Sequence, residues 1–261
     1  MTTAIEAIDH LTAAVSYLRV QVGAQHEPAD GPATDWFSCA ELCADQGRLL
    51  DLSRSTAAGR GTDRDDVAMS LLVQGYAFRI ASVAIGAWLL DEVVLDVAPA
   101  RCAIAIGRHR PNAVRLETAT IVAAPPTLGS LHAELIDAHL ARLVVTAHGA
   151  CRVGEALLWS NVAAACASSF GAFMAPLHER RAEVRDRAEA FFAAARPELA
   201  RSGRLVPVGS AWAWERQACC LWYRTDSGSR CADCSLWTDA ERAQRYQDAT
   251  DAEVSDARGA S

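Results

Sequence analysis

Four cysteines near the end of the chain stand as Cys219-Cys220 and Cys231-Ala232-Asp233-Cys234, a C-C-x10-C-x2-C pattern. The two residues between Cys231 and Cys234 let the backbone turn so that both sulfurs face one site. The N–H groups of such a turn can point at bound sulfur. The adjacent pair is less usual. Neighbouring side chains diverge, so Cys219 and Cys220 can ligate together only on an irregular backbone. Ser227, Gly228 and Ser229 give the intervening loop the freedom to fold back on the first pair. Nine cysteines, an odd number, argue against a complete disulfide framework and for metal or redox chemistry at the cluster of four.

Several chemistries compete for this spacing. A structural zinc site usually draws its thiolates from two short hairpins with about two to four residues between ligands, which an adjacent pair fits poorly. A thioredoxin-like dithiol sits where a strand meets a helix in a βαβ unit, and that setting is absent here. Disulfides or merely buried thiols are the bland alternatives. A [2Fe–2S] cluster takes four cysteine thiolates and is the reading the spacing favours. Its charge, formally about −2 oxidised and about −3 reduced, is best met by cations and hydrogen-bond donors. Arg216, Arg224 and Arg230 flank the ligands, and Trp214, Trp222 and Trp237 can shield the site from water. For each arginine alone, a solvated surface position is the ordinary alternative.

The elements that must position these cysteines can be read upstream. Apolar residues at Ile5, Ile8, Leu11, Val15, Leu18 and Val22 predict an amphipathic helix over 3–22. A loop from Gly23 to Pro32 follows, then a helix from about Thr34 to Leu52. A break at Ser53–Asp63 precedes a long helix to about Leu90, capped by Thr62 or Asp63. Val93–Val97, Cys102–Gly107 and Ala113–Ala119 are short and rich in β-branched residues, predicting a small antiparallel sheet with a turn at His109–Asn112. Helical spacing returns over Leu128–Val145, Arg152–Met174 and Leu177–Ala195, with Pro197 ending the last helix. Leu205–Glu215 reads as a strand pair leading into the cysteines. The predicted fold class is α+β: a mostly helical domain with a small antiparallel sheet and a C-terminal cysteine-rich cluster module. The expected division is a main domain over 1–204, a module over 205–238 and a flexible polar tail over 239–261.

Composition narrows the function classes. The net charge is −7, and no basic stripe with interleaved aromatics occurs, so nucleic acid is not an expected partner. The N-terminus carries Glu6 and Asp9 and no basic stretch before an apolar run, which predicts a cytoplasmic protein without a secretory signal. Leu71–Leu90 holds Gln74 and Arg79, and Ala156–Ala175 holds Asn161. Both read as buried helices rather than transmembrane segments, leaving only peripheral membrane contact open. No GxGxxG follows a strand, so the chain is not expected to bind NAD(P)H or flavin.

The cysteine pattern, with Tyr223 and Arg224 after its first pair, resembles the cluster signature of the FhuF-type ferric siderophore reductases. Leu157-Leu158-Trp159-Ser160-Asn161 is similar to a Leu/Ile-Trp-Ser-Asn stretch on a helix of that family's main domain, and Trp88–Pro99 is a weaker match. The similarity spans about residues 65–237. It implies a cytosolic oxidoreductase in which Cys219, Cys220, Cys231 and Cys234 hold a [2Fe–2S] cluster. The cluster would pass one electron to an Fe(III)–siderophore, so that Fe(II) is released. The electron would come from an external donor such as a ferredoxin or a soluble reductant, and no catalytic side chain beyond the cluster is needed. The resemblance also raises Trp159, Asn161 and Arg224 as substrate-binding candidates, within a main domain that binds the siderophore. The alternative is a non-redox siderophore- or iron-binding protein, or a zinc-stabilised binding domain.

Other candidates carry less. Arg108, His109 and Arg110 could attract an anionic complex or simply form a solvated hairpin tip. Cys39 and Cys43 share a helical face, but no neighbouring His or Cys in the sequence completes a metal site. Cys102, Cys151 and Cys166 are isolated and read as buried small residues. His132 and His139 are spaced to share a helix face.

Overall fold

The computed structural model describes residues 2–23, 35–209 and 211–248. Its first helix, α1 (Ala4–Ala14), begins with a capping box in which the Thr3 hydroxyl and the Glu6 carboxylate satisfy each other's backbone N–H groups. The helix stops well short of residue 22, because Val20–Val22 forms strand β1. Asp35–Ser38 is likewise strand β2 rather than helix, and the expected helix to Leu52 is two elements, α2 (Cys39–Leu42) and α3 (Gln46–Ala58). Tertiary pairing overrides helical periodicity in both places: Val20–Val22 joins residues 114–116 in parallel, and Asp35–Ser38 joins residues 103–106.

The core is built on two helices, α4 (Asp65–Asp91) and α7 (Glu155–Ala172), which pack along each other. Met69, Leu72, Tyr76, Ile80 and Ile85 on α4 are fully or almost fully buried, as are Val162, Cys166 and Phe170 on α7. Apolar residues run around both helices, the pattern of helices surrounded by protein. By length and composition α4 could cross a membrane, but 78% of its most apolar window is buried inside the fold. Gly86 is required by close approach: a Cβ there would lie 2.3 Å from Leu11 and from Phe173.

Among the described residues, three small sheets flank these helices. The largest has the order β1-β5-β4-β2, with β4 (Cys102–Gly107) antiparallel to β5 (Arg110–Leu116) and to β2, and β1 parallel to β5. Val94–Leu95 (β3) pairs with Ile121–Ala123 (β6). The third sheet is the hairpin of β7 (Gly203–Val208) and β8 (Ala211–Arg216), which bears out the strand pair expected before the cysteines. The fold is α+β and mostly helical, as the sequence predicts.

The remaining elements follow the expected spacing with shifted ends. The helix expected over Leu128–Val145 is α5 (Leu128–Leu131), a π-helical stretch over His132–Leu140, and α6 (Ala141–Ala150). After α8 (Arg181–Ala193), Pro197 does not end a helix. It opens a short one, α9 (Pro197–Ala200), a position where its missing N–H costs nothing. Residues 239–248 are helical, and the rest of the expected tail lies outside the described residues. Much of the expected loop from Gly23 to Pro32, and the start of the expected helix at Thr34, also lie outside them.

Candidate metal centre

Strand β8 ends at Arg216 and delivers the chain to Cys219 and Cys220 against the buried α4–α7 pair. The irregular backbone that an adjacent pair requires is present. Leu221 sits at φ +67°, a left-handed conformation unusual for a branched side chain, and its N–H donates to Cys219 Sγ at 3.4 Å. The chain then coils on itself through short turns, Arg224 N–H to Leu221 O at 2.9 Å and Gly228 N–H to Thr225 O at 3.0 Å. Gly228 has no room for a side chain, since a Cβ would lie 1.8 Å from the carbonyl oxygen of Trp222. This is the fold-back expected of the Ser-Gly-Ser loop.

The fold-back joins the sulfurs crosswise. Cys219 Sγ lies 3.8 Å from Cys234 Sγ, and Cys220 Sγ lies 3.3 Å from Cys231 Sγ; all four thiols are free. Two thiolates on one tetrahedral metal at about 2.3 Å would be about 3.8 Å apart. Among the described residues no group of three or more Cys, His, Asp or Glu side chains converges on a single ion. Cys220 also contacts Cys219, so the four sulfurs form one continuous group, the set of four thiolates that a [2Fe–2S] centre takes. Hydrogen bonds from Cys219 and then Cys231, with help from Arg216, hold the Cys220 thiol well below its ordinary range, while the same contacts push Cys219 and Cys231 up.

Of the three arginines expected beside the ligands, Arg216 is the buried one. Its side chain is fully buried, yet Nε and Nη1 have no hydrogen-bond partner. Nη2 donates to Asn161 Oδ1, and Nε faces Asp233 Oδ2 at 3.6 Å. A buried cation left short of acceptors is costly unless negative charge lies beside it; Asp233 supplies part of that charge, and a thiolate-bound iron–sulfur centre would supply the rest together with acceptors. The residues present therefore fit the cluster. Arg224 and Arg230 differ from Arg216: both are exposed, stacked over Tyr223 at 5.5 Å and Trp237 at 4.9 Å respectively. Trp214 is buried and Trp222 exposed, while Trp237 donates from Nε1 to Cys231 O at 2.9 Å.

The helix α7 segment singled out in the sequence grips this module from the interior. Asn161, fully buried, donates from Nδ2 to Ser70 O at 2.9 Å and Ser70 Oγ at 2.8 Å. Ser70 Oγ in turn donates to Cys220 O at 2.7 Å. Ser160 Oγ bonds the backbone of Ala218 in both directions, at 3.2 and 3.3 Å. Trp159 points elsewhere, under the Arg196 guanidinium at 4.8 Å and donating to Glu155 Oε1 at 3.3 Å. Trp159 and Asn161 are 2% and 0% exposed, so neither presents a surface to a ligand; of the three substrate candidates only Arg224 does. Ser70, Ser160 and the buried role of Arg216 were missed in the sequence because nothing local marks a serine or arginine as facing a site far away in the chain.

Beside the centre lies a cavity of about 800 Å³, lined by Gly171, Trp212, Trp214, Ala232, Asp233 and Arg245 among others. Ala232 and Asp233 are the two residues between Cys231 and Cys234. Trp212 and Trp214 bring indole N–H groups that have no partner. The upstream thiols form a different environment. Cys39 and Cys43 surround the buried Tyr76 hydroxyl, which bonds His139 Nε2 at 2.7 Å, and Cys102 lies close enough to interact with both thiols. Burial pushes Cys39 and Cys102 far up and Cys43 up to about 11, so these thiols stay protonated and serve as core groups.

Two family models match the chain. One, described as ferric iron reductase FhuF-like transporter, covers residues 70–208. The other, described as FhuF 2Fe-2S C-terminal domain, covers residues 216–236, the stretch that holds the four cysteines and Arg216. No curated protein matches the chain.

Proposed function

The chain belongs to the FhuF-like ferric iron reductase family, and from that premise we propose that it reduces ferric siderophores one electron at a time. Its cofactor is a [2Fe–2S] cluster. In this reading Cys219, Cys220, Cys231 and Cys234 are the cluster ligands, and the observation that carries it is their crosswise pairing beside a buried, acceptor-poor arginine. When bound, the cluster supplies single electrons, the stoichiometry that takes Fe(III) to Fe(II).

The chain's own residues do the rest. The left-handed turn at Leu221 and the collapsed loop at Gly228 hold adjacent cysteines toward different partners. Ser70, Ser160 and Asn161 fix this module to α4 and α7. The ferric complex docks in the cavity walled by Trp212, Trp214 and Arg245, where Ala232 and Asp233 bring it against the ligand turn. Arg245, exposed on the cavity wall, can face an anionic complex, and Arg224 is a second exposed cation of the cysteine module. Fe(III) gains one electron and becomes Fe(II), for which hard oxygen donors are poorer ligands, so the metal leaves for cytoplasmic acceptors. The electron lost is replaced by a ferredoxin-like protein or a soluble reductant. Residues 205–238 serve as the cluster module, and the docking cavity lies where that module meets Ala167, Ser168 and Gly171 of the 1–204 body.

Purified anaerobically, the wild-type protein should contain two irons and two acid-labile sulfides. Cys231→Ser should lose both, together with ferric siderophore reduction. A Cys231→Ser protein that keeps full reductase activity would overturn the assignment, and zinc without labile sulfide in the wild type would replace it with the binding-domain reading.

A further inference from the structure

We propose that Arg216 is a built-in potential-setting residue: its unpartnered Nε and Nη1 groups donate to cluster sulfur, and its buried charge favours the reduced centre. Four features converge on this. The side chain is 0% exposed, so water cannot screen it or supply acceptors. A guanidinium has five N–H donors, and here only Nη2 bonds within the site, to Asn161, while Nε and Nη1 find no acceptor. The one carboxylate facing it, Asp233, stands 3.6 Å away and is itself one residue from Cys234. Finally, its orientation is imposed from outside the module. Asn161 on α7 holds the fork, and Ser70 on α4 holds both Asn161 and the Cys220 carbonyl.

The electrostatic consequence has a definite sign. Reduction adds one negative charge to the centre, so a fixed cation stabilises the reduced form more than the oxidised form. Asp233 opposes this, but it is only partly buried, with 25% of its side chain exposed, and is better screened than the arginine. Exposed Arg224 and Arg230 contribute less for the same reason. Arg216 thus acts through the cluster and is a positioning residue, tied to the main domain by the Trp-Ser-Asn segment. That segment's part in the protein is to aim a charge rather than to touch substrate.

The test is the midpoint potential of the holoprotein, titrated optically without any ferric substrate, so that it stands apart from the reductase reading. Arg216→Gln should make cluster reduction at least tenfold less favourable, a fall of 59 mV or more for one electron. Arg216→Lys, which keeps the charge but loses the fork, should fall less, and Arg224→Gln and Arg230→Gln should stay near wild type. Arg216→Gln protein with a full complement of iron and sulfide and an unchanged potential would overturn the proposal. Should the glutamine variant fail to assemble, wild-type protein labelled with ¹⁵N-arginine decides the matter. Pulsed EPR of the reduced cluster should show a weak arginine ¹⁵N coupling that survives in Arg224→Gln and Arg230→Gln, and its absence would equally overturn the proposal.

Discussion

Replacing Asn161 by alanine removes, in one step, the donor to Ser70 O, the donor to Ser70 Oγ and the acceptor for Arg216 Nη2. All three partners are buried, so water cannot take the place of the amide. Losing a neutral buried hydrogen bond costs about 1–3 kcal/mol, and leaving part of a buried guanidinium unsatisfied adds to this, so about 3–5 kcal/mol is expected for the whole seam. For a chain of this size that corresponds to a fall of roughly 6–10 °C in melting temperature. The loss should not be uniform. The Ser70 hydroxyl still reaches Cys220 O, but nothing then fixes Ser70 against α7. Visible circular dichroism of the cluster should therefore melt before the far-ultraviolet signal of the helices. A variant within about 1 kcal/mol of wild type, with the two signals melting together, would refute the claim that Asn161 couples the module to the core.

Gly228→Ala must displace the Trp222 carbonyl, which a new Cβ would meet at 1.8 Å; cluster absorbance should be lost while the helical signal remains. Gly171→Leu projects into the cavity, where a Cβ meets Trp212 no closer than 3.8 Å. The fold and cluster spectrum should survive, while KM for a ferric siderophore rises at least tenfold; an unchanged KM would move the docking site elsewhere. His139 is buried neutral: Nδ1–H donates to Val97 O and Nε2 accepts from Tyr76, and burial lowers its pKa to about 4. A lowered histidine pKa gives stability that is complete above the unfolded value of about 6.5 and is lost as pH falls toward 4, up to about 3 kcal/mol in all. Between pH 7.5 and 5.5, urea unfolding should show about 1.3 kcal/mol of this, and His139→Gln should remove that slope.

The elements that were legible in the sequence are those with long, uninterrupted signals. Helices α4 and α7 and the strand pair before the cysteines announce themselves by apolar runs or alternation, and they stand within a few residues of expectation. Val20–Val22 and Asp35–Ser38 failed because their strand character comes from pairing with residues distant in sequence, and three or four residues carry no period of their own. The same division holds at the site. Adjacent cysteines and Ser-Gly-Ser predict an irregular fold-back, because the demand is local. The identity of the groups behind the cysteines is not local: Ser70 acts on Cys220 from 150 residues away, and Arg216 differs from Arg224 and Arg230 only by burial, which spacing does not encode. Trp159 and Asn161 attracted attention for sound reasons, yet opposite sides of one helix send the first to Arg196 and the second to the cluster module.

The central claim, that electrons pass singly from this chain's cluster to a bound ferric siderophore, is open to one direct measurement. Protein reduced with a stoichiometric amount of dithionite is mixed anaerobically with a ferric siderophore in the presence of a ferrous-specific chelator, and both visible changes are followed. The oxidised cluster spectrum should return in step with formation of the ferrous chelate, one Fe(II) for each cluster re-oxidised. A cluster that stays reduced in the presence of ferric siderophore, or ferrous iron appearing at the same rate with the Cys231→Ser protein, would contradict it.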